Sequence, residues 1–163
     1  MRVHAIQTGM VAIKQRQVRG VGQGIQRRVN TVLDRAWLAP MLIPFRPAAV
    51  GTFPTNYPLT RAEDVVLVPT GGHTAGHLSL IVLEDDHALF LAGDTSYSQP
   101  LMLDEVVDGV APDEHVSRQT LRRIHAFTQQ VPTVYLSSHD PQARERLFHR
   151  QTVLFPETSK AAL

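Results

Sequence analysis

The chain contains no cysteine, which excludes disulfide bridges and thiolate-ligated zinc together. It has almost no net charge, with 16 Lys and Arg against 15 Asp and Glu for a formal +1. Global electrostatics therefore implies no nucleic-acid partner. No apolar run reaches the roughly 18 residues of a membrane span, and the start, Met1-Arg2-Val3-His4-Ala5-Ile6, lacks a signal-peptide core. The expectation is a soluble, cytoplasmic protein with no membrane contact. What the chain does have is 163 residues of which 43% are hydrophobic, enough for one domain with an ordinary core.

The informative stretch is Val65 to Asp94, VVLVPTGGHTAGHLSLIVLEDDHALFLAGD. Val65–Pro69, Leu78–Leu83 and Ala88–Ala92 are short runs rich in Val, Leu and Ile, bounded by turn-forming or charged residues. That pattern predicts buried strands rather than helices. The first run empties into Thr70-Gly71-Gly72-His73 and the third into Gly93-Asp94, while Thr133–Leu136 downstream empties into Ser137-Ser138-His139-Asp140. In open sheets of this kind, ligands gather outside the carboxyl ends of strands. Two imidazoles and a carboxylate form a usual nitrogen and oxygen donor set for zinc, iron or manganese. The chain reads as a metal-site scaffold.

His73-Thr74-Ala75-Gly76-His77, Leu91-Ala92-Gly93-Asp94-Thr95 and Ser138-His139-Asp140, in this order, resemble the last three metal-binding motifs of the metallo-β-lactamase-fold hydrolases. Asp94-Thr95-Ser96-Tyr97 most resembles the acyl-homoserine-lactone lactonase branch, in which a tyrosine three residues after the bridging Asp lies near the substrate carbonyl. The similarity covers about residues 57–150. It implies His73 and His139 as ligands of two different zinc ions, Asp94 as the carboxylate bridging them, and His77 as a non-ligand. It also implies an α/β fold, a truncated metallo-β-lactamase-like αββα sandwich with a mixed sheet and helices packed on it.

One part of the family pattern is missing. The resemblance calls for a His-x-His-x-Asp-His stretch well upstream, supplying most of the metal contacts, yet this chain has no His-x-His pair and only His4 before His73. Near Ile43–Arg46 the sequence reads as if a long internal block were absent. The expectation is one shortened domain over 1–163, with N-terminal strands and a basic segment in 1–45 and the remaining motifs in 46–163.

Along the rest of the chain, residues 3–13 suggest one or two strands broken at Gly9, and 14–36 form a basic, solvated segment with a short packing helix over Arg27–Ala36. Five prolines make Trp37–Pro58 irregular. Loss of neighbouring strands there would leave an apolar face, covered by Trp37, Met41, Leu42, Ile43 and Phe45 or by a homodimer. His87, in Glu84-Asp85-Asp86-His87, is expected on an exposed hairpin turn. Pro100–Asp108 reads as a loop or short helix beside the site, and Asp113–Gln130 as the best helix, with Val116, Leu121, Ile124 and Phe127 inward and His115 and His125 at the surface. A second helix over Gln142–Arg150 would pack Leu147 and Phe148, and the tail 158–163 is expected to fray. Tyr97 is either a hydrogen-bond donor to a developing oxyanion or a half-buried aromatic above the sheet. Asp140 either orients an imidazole or caps the helix that follows.

These readings leave two expectations for function. One is a metal-dependent hydrolase of small-molecule esters or lactones, holding one zinc ion or none per chain, with catalytic Tyr97 and Asp94 and ligands His73, Asp94 and His139. Iron or manganese would also suit that donor set, and the missing contacts would impair activity. The other is a non-catalytic remnant that keeps the fold and self-associates.

Overall fold

The structure, a computed structural model, describes residues 45–155. The readings placed on residues 1–44 and on the tail, including the N-terminal strands, the basic segment, the Arg27–Ala36 helix and the cover from Trp37 to Ile43, lie outside the described residues. Everything described falls in one compact unit that begins at Phe45.

Among the described residues, five strands form one mixed sheet: β1 (Tyr57–Pro58), β2 (Val65–Pro69), β3 (Leu78–Leu83), β4 (Ala88–Gly93) and β5 (Thr133–Ser137). They lie in sequence order, with three antiparallel pairings followed by a parallel one between β4 and β5. A parallel neighbour needs a crossover. It is supplied by α1 (Gln99–Leu103) and α2 (Glu114–Gln130), and α3 (Ala143–His149) follows β5. Four of the strands match the sequence runs, β2 and β3 to the residue and β4 and β5 each extending one residue further. Among the described residues, Pro58 sits in an edge strand, where its missing N–H costs no ladder bond. The α/β fold with a mixed sheet is as expected.

The register explains why the strands read as unbroken apolar runs. Paired residues share a face of a sheet. Val66, Ile81, Phe90 and Tyr135 align on one face, and Leu67, Leu80, Leu91 and Leu136 align on the other. Both faces are apolar, so alternation disappears from the sequence. The first face carries the core, in which Phe53, Phe90, Phe127 and Tyr135 pack with ring centroids 5.7–6.0 Å apart beside Met102, Leu121 and Ile124.

Helix α2 begins where expected, with the Asp113 carboxylate accepting from Val116 N–H at 3.1 Å and Glu114 in its first turn. Its inward face differs from the expectation at one position. Val116 is exposed, and the small residues Ser117 and Thr120 are buried instead. The reason is the loop it packs on: a Cβ on Gly72 (φ +150) would lie 2.7 Å from Ser117 Cα, an approach that only small residues permit. In α3, Leu147 is buried as expected but Phe148 is 80% exposed. This seven-residue helix presents only a narrow face to the sheet, and Leu147 occupies it. His87 also departs from expectation: its side chain is only 12% exposed, folded between Glu84 (3.0 Å) and Asp86 (2.6 Å), while Glu84 N–H donates to His87 C=O at 2.8 Å to close the hairpin.

Candidate metal centre

Two antiparallel steps return β4 to the direction of β2, and β5 runs parallel to β4. The carboxyl ends of β2, β4 and β5 therefore share one edge of the sheet, and β3 starts there. The loop after β2 carries His73, the end of β4 carries Asp94, and the turn after β5 carries His139. Topology alone gathers the three residues that the sequence places at separate strand ends.

Their geometry centres on Asp94. Its Oδ1 lies 3.3 Å from His139 Nε2 and its Oδ2 lies 3.9 Å from His73 Nε2. Each carboxylate oxygen thus faces a different imidazole. The His73 side chain is 22% exposed, Asp94 37% and His139 59%, so the group opens to solvent. Tyr97 stands edge-on to His139, ring centroids 5.1 Å apart and planes at 83°, and is itself 38% exposed. Burial, then the charges of Asp108 and Asp94, raise its phenol pKa, which keeps the hydroxyl a donor at neutral pH.

Asp94 is aimed by its backbone. The β4–β5 register shifts between Leu91 and Gly93, an irregularity that re-aims the residue after it, and Gly93 takes φ +60. A Cβ there would sit 2.8 Å from His77 Nε2. His77 holds the loop as expected, and its bonds show how. Its Nε2 accepts from Asp94 N–H at 3.1 Å, and its Nδ1 lies 2.9 Å from Thr70 Oγ1. A ring nitrogen that accepts from an amide carries no proton, so Nδ1 donates to Thr70. Thr70 then meets Ser79 Oγ at 2.8 Å, and Ser79 donates to Ala92 C=O at 3.2 Å. Burial lowers the His77 pKa, opposed by the Asp94 charge, in keeping with a neutral ring.

The sequence missed Asp108. It lies 2.6 Å from His73 Nδ1 with its own side chain 3% exposed. Nothing in the pattern separates it from Asp104 or Glu105 nearby. For Asp140, no imidazole among the described residues reaches its carboxylate. Asp140 Oδ2 accepts from Gln99 N–H at 3.0 Å and pairs with Arg146, and Oδ1 accepts from Gln142 N–H at 2.9 Å. It joins the starts of α1 and α3, so the cap alternative describes it better, although Gln142 is the residue at the N-cap position. His115 is exposed, and His125 stacks on Phe155 with ring centroids 5.7 Å apart.

In kind and orientation these donors suit a divalent metal, since the imidazole Nε2 atoms and carboxylate oxygens converge pairwise and His73 has a carboxylate behind it. In number they fall short. Among the described residues, no group of three or more metal-ligating side chains surrounds a single point, whereas a catalytic zinc takes three protein ligands. Two open hollows of about 540 and 620 Å³ lie elsewhere, one along Asp104–Gly109 and one between Gln99 and Arg150, and neither is lined by His73, Asp94 or His139.

No family model matches the chain, and no curated protein matches it in sequence. Several solved structures align with part of it. An N-acyl homoserine lactone hydrolase, with N-hexanoyl-L-homoserine bound at its catalytic metal centre, aligns at 24% identity and TM-score 0.47 over 63% of this chain and 38% of its own. A quorum-quenching N-acyl homoserine lactone lactonase aligns at 25% identity and TM-score 0.47, over 53% of this chain and 35% of its own. A probable metal-dependent hydrolase from Staphylococcus aureus aligns at 19% and TM-score 0.46, over 52% and 30%. The chain spans well under half the length of these proteins.

Proposed function

We propose that this sheet edge is half of a metal-dependent hydrolase centre for small-molecule esters or lactones, with His73, Asp94 and His139 as its ligands. The observation that carries the reading is the pairing of the two Asp94 oxygens with different imidazoles, at 3.9 and 3.3 Å. With Asp108 accepting from His73 Nδ1–H, the lone pair of Nε2 in the neutral ring faces a carboxylate oxygen, acceptor to acceptor, at a spacing too long for a hydrogen bond. A cation relieves that opposition. Zinc suits the donors, and iron or manganese would also accept them.

When bound, such an ion polarises a carbonyl and makes bound water a nucleophile near neutral pH. The chain's own residues do the rest. Asp94 is held by the His77–Thr70–Ser79 chain, Tyr97 offers its hydroxyl to the carbonyl oxygen as charge develops there, and the open edge admits substrate. An ion held beside Asp94 would have one imidazole and one carboxylate oxygen from this chain. Affinity and turnover should therefore fall well below those of a complete site.

That shortfall also favours a second reading, a domain that keeps the fold without catalysis, since no three ligands converge among the described residues. The two separate on zinc content, measured by elemental analysis after loading and dialysis. Retention of up to about one ion per chain, lost in Asp94→Ala, is the expected result, after which esters and lactones are screened. No retained zinc in either protein would leave only the non-catalytic reading.

A further inference from the structure

We propose that Asp108 is the positioning residue of this centre, fixing the tautomer and direction of the His73 ring so that the unprotonated Nε2 faces Asp94. The inference rests on the hydrolase reading for its purpose, though not for its geometry. The contact is 2.6 Å between Asp108 Oδ2 and His73 Nδ1, with the carboxylate side chain 3% exposed. A carboxylate only accepts, so in the neutral ring the proton lies on Nδ1 and the lone pair on Nε2. The second oxygen is also engaged, since Oδ1 accepts from Val110 N–H at 3.2 Å. With both oxygens held, the carboxylate has little freedom to turn.

The segment carrying Asp108 is fastened to α2 as well. Arg118 Nη1 donates to Glu105 C=O at 3.3 Å, and Arg122 Nε meets the Glu105 carboxylate at 2.9 Å. Glu105 itself takes φ +53, the left-handed geometry that turns the chain out of α1. The loop bearing His73 is fastened to the same helix, because Thr120 Oγ1 donates to Gly71 C=O at 2.5 Å and Gly72 closes on Ser117. Helix α2 is thus the common base for the imidazole and the carboxylate behind it. A ring held in this way loses little orientational freedom when a ligand arrives, which is how residues behind a ligating histidine raise affinity.

The test uses the full chain, stripped of metal with a chelator, and long-range ¹H–¹⁵N correlation of the His73 ring at alkaline pH. Wild-type protein should show the Nδ1–H tautomer, and Asp108→Ala should shift the ring toward the Nε2–H form that an unpartnered imidazole favours. A purely structural role for Asp108 would leave the tautomer unmoved. Chelator competition should then show zinc held about tenfold to a hundredfold more weakly by the variant. An Nε2–H ring in wild-type protein, or an unchanged tautomer in the variant, overturns the inference, and the wild-type arm stands even if the variant fails to fold. A tautomer that moves while zinc affinity does not would also overturn it. A tautomer that moves while neither protein holds zinc upholds the positioning and removes the hydrolase reading instead.

Discussion

Arg146→Met should be among the most damaging single substitutions outside the site, and its cost can be worked from the contacts. Arg146 and Asp140 form a buried pair with side chains 7% and 4% exposed, and Arg146 Nε also donates to Tyr135 C=O at 3.1 Å. Methionine fills similar space but leaves the Asp140 carboxylate buried with two backbone N–H donors and no counter-charge. Breaking such a pair from one side costs about 3–5 kcal/mol, against a total stability of about 5–15 kcal/mol for a domain. At roughly 2–4 °C per kcal/mol, the midpoint of thermal unfolding followed by circular dichroism should fall by about 6–20 °C.

Adding Asp140→Asn to that variant should recover part of the loss, because the stranded charge is removed. The pH dependence has a definite sign. Burial pushes the Asp140 carboxyl up, but the Gln99 and Gln142 N–H groups and Arg146 outweigh it, so the native pKa lies below the ordinary value. The pair therefore stabilises above the unfolded value of about 3.9, and its contribution disappears as pH falls through the lower native value. A midpoint for Arg146→Met within about 2 °C of wild type would refute the assignment of a buried, mutually dependent pair.

Two further outcomes test how Asp94 is aimed. His77→Phe removes the acceptor of Asp94 N–H and one of the two side-chain partners of Thr70, so chemical denaturation should show a loss of about 1–3 kcal/mol. Because burial lowers the native His77 pKa, wild-type stability from this group is complete above about pH 6.5 and declines as pH falls toward the native value. That decline should be missing from the variant, and an identical pH profile would contradict the neutral ring. Gly93→Ala places a Cβ 2.8 Å from His77 Nε2 at φ +60, so a cost of about 1–3 kcal/mol should appear in the same assay. A neutral result would mean that the turn relaxes freely and does not fix Asp94.

How much was legible in advance follows from which interactions are local. The Val65–Pro69 and Leu78–Leu83 runs matched their strands to the residue, because apolar runs bounded by turn residues carry their own limits. Asp113 announced the start of α2 for the same reason, since a cap acts within one turn. Val116, Phe148 and His87 went the other way, because the depth at which a side chain lies depends on what packs against it. Val116 was displaced by the close approach of Gly72 to Ser117, and Phe148 by the narrow contact of a short helix.

The sequence by itself determined the strand runs and placed His73, Asp94 and His139 just beyond them, because each is written within a few residues of the run that precedes it. It also determined that thiolate chemistry is absent. Only the tertiary structure decided that the three strand ends share one edge, which required the pairing order and the parallel β4–β5 step. Only the tertiary structure put Asp108 behind His73, across a separation of 35 residues, and tied Asp140 to Gln99 and Arg146. Such contacts join segments that have no reason to meet until the chain has folded, and no local pattern records them.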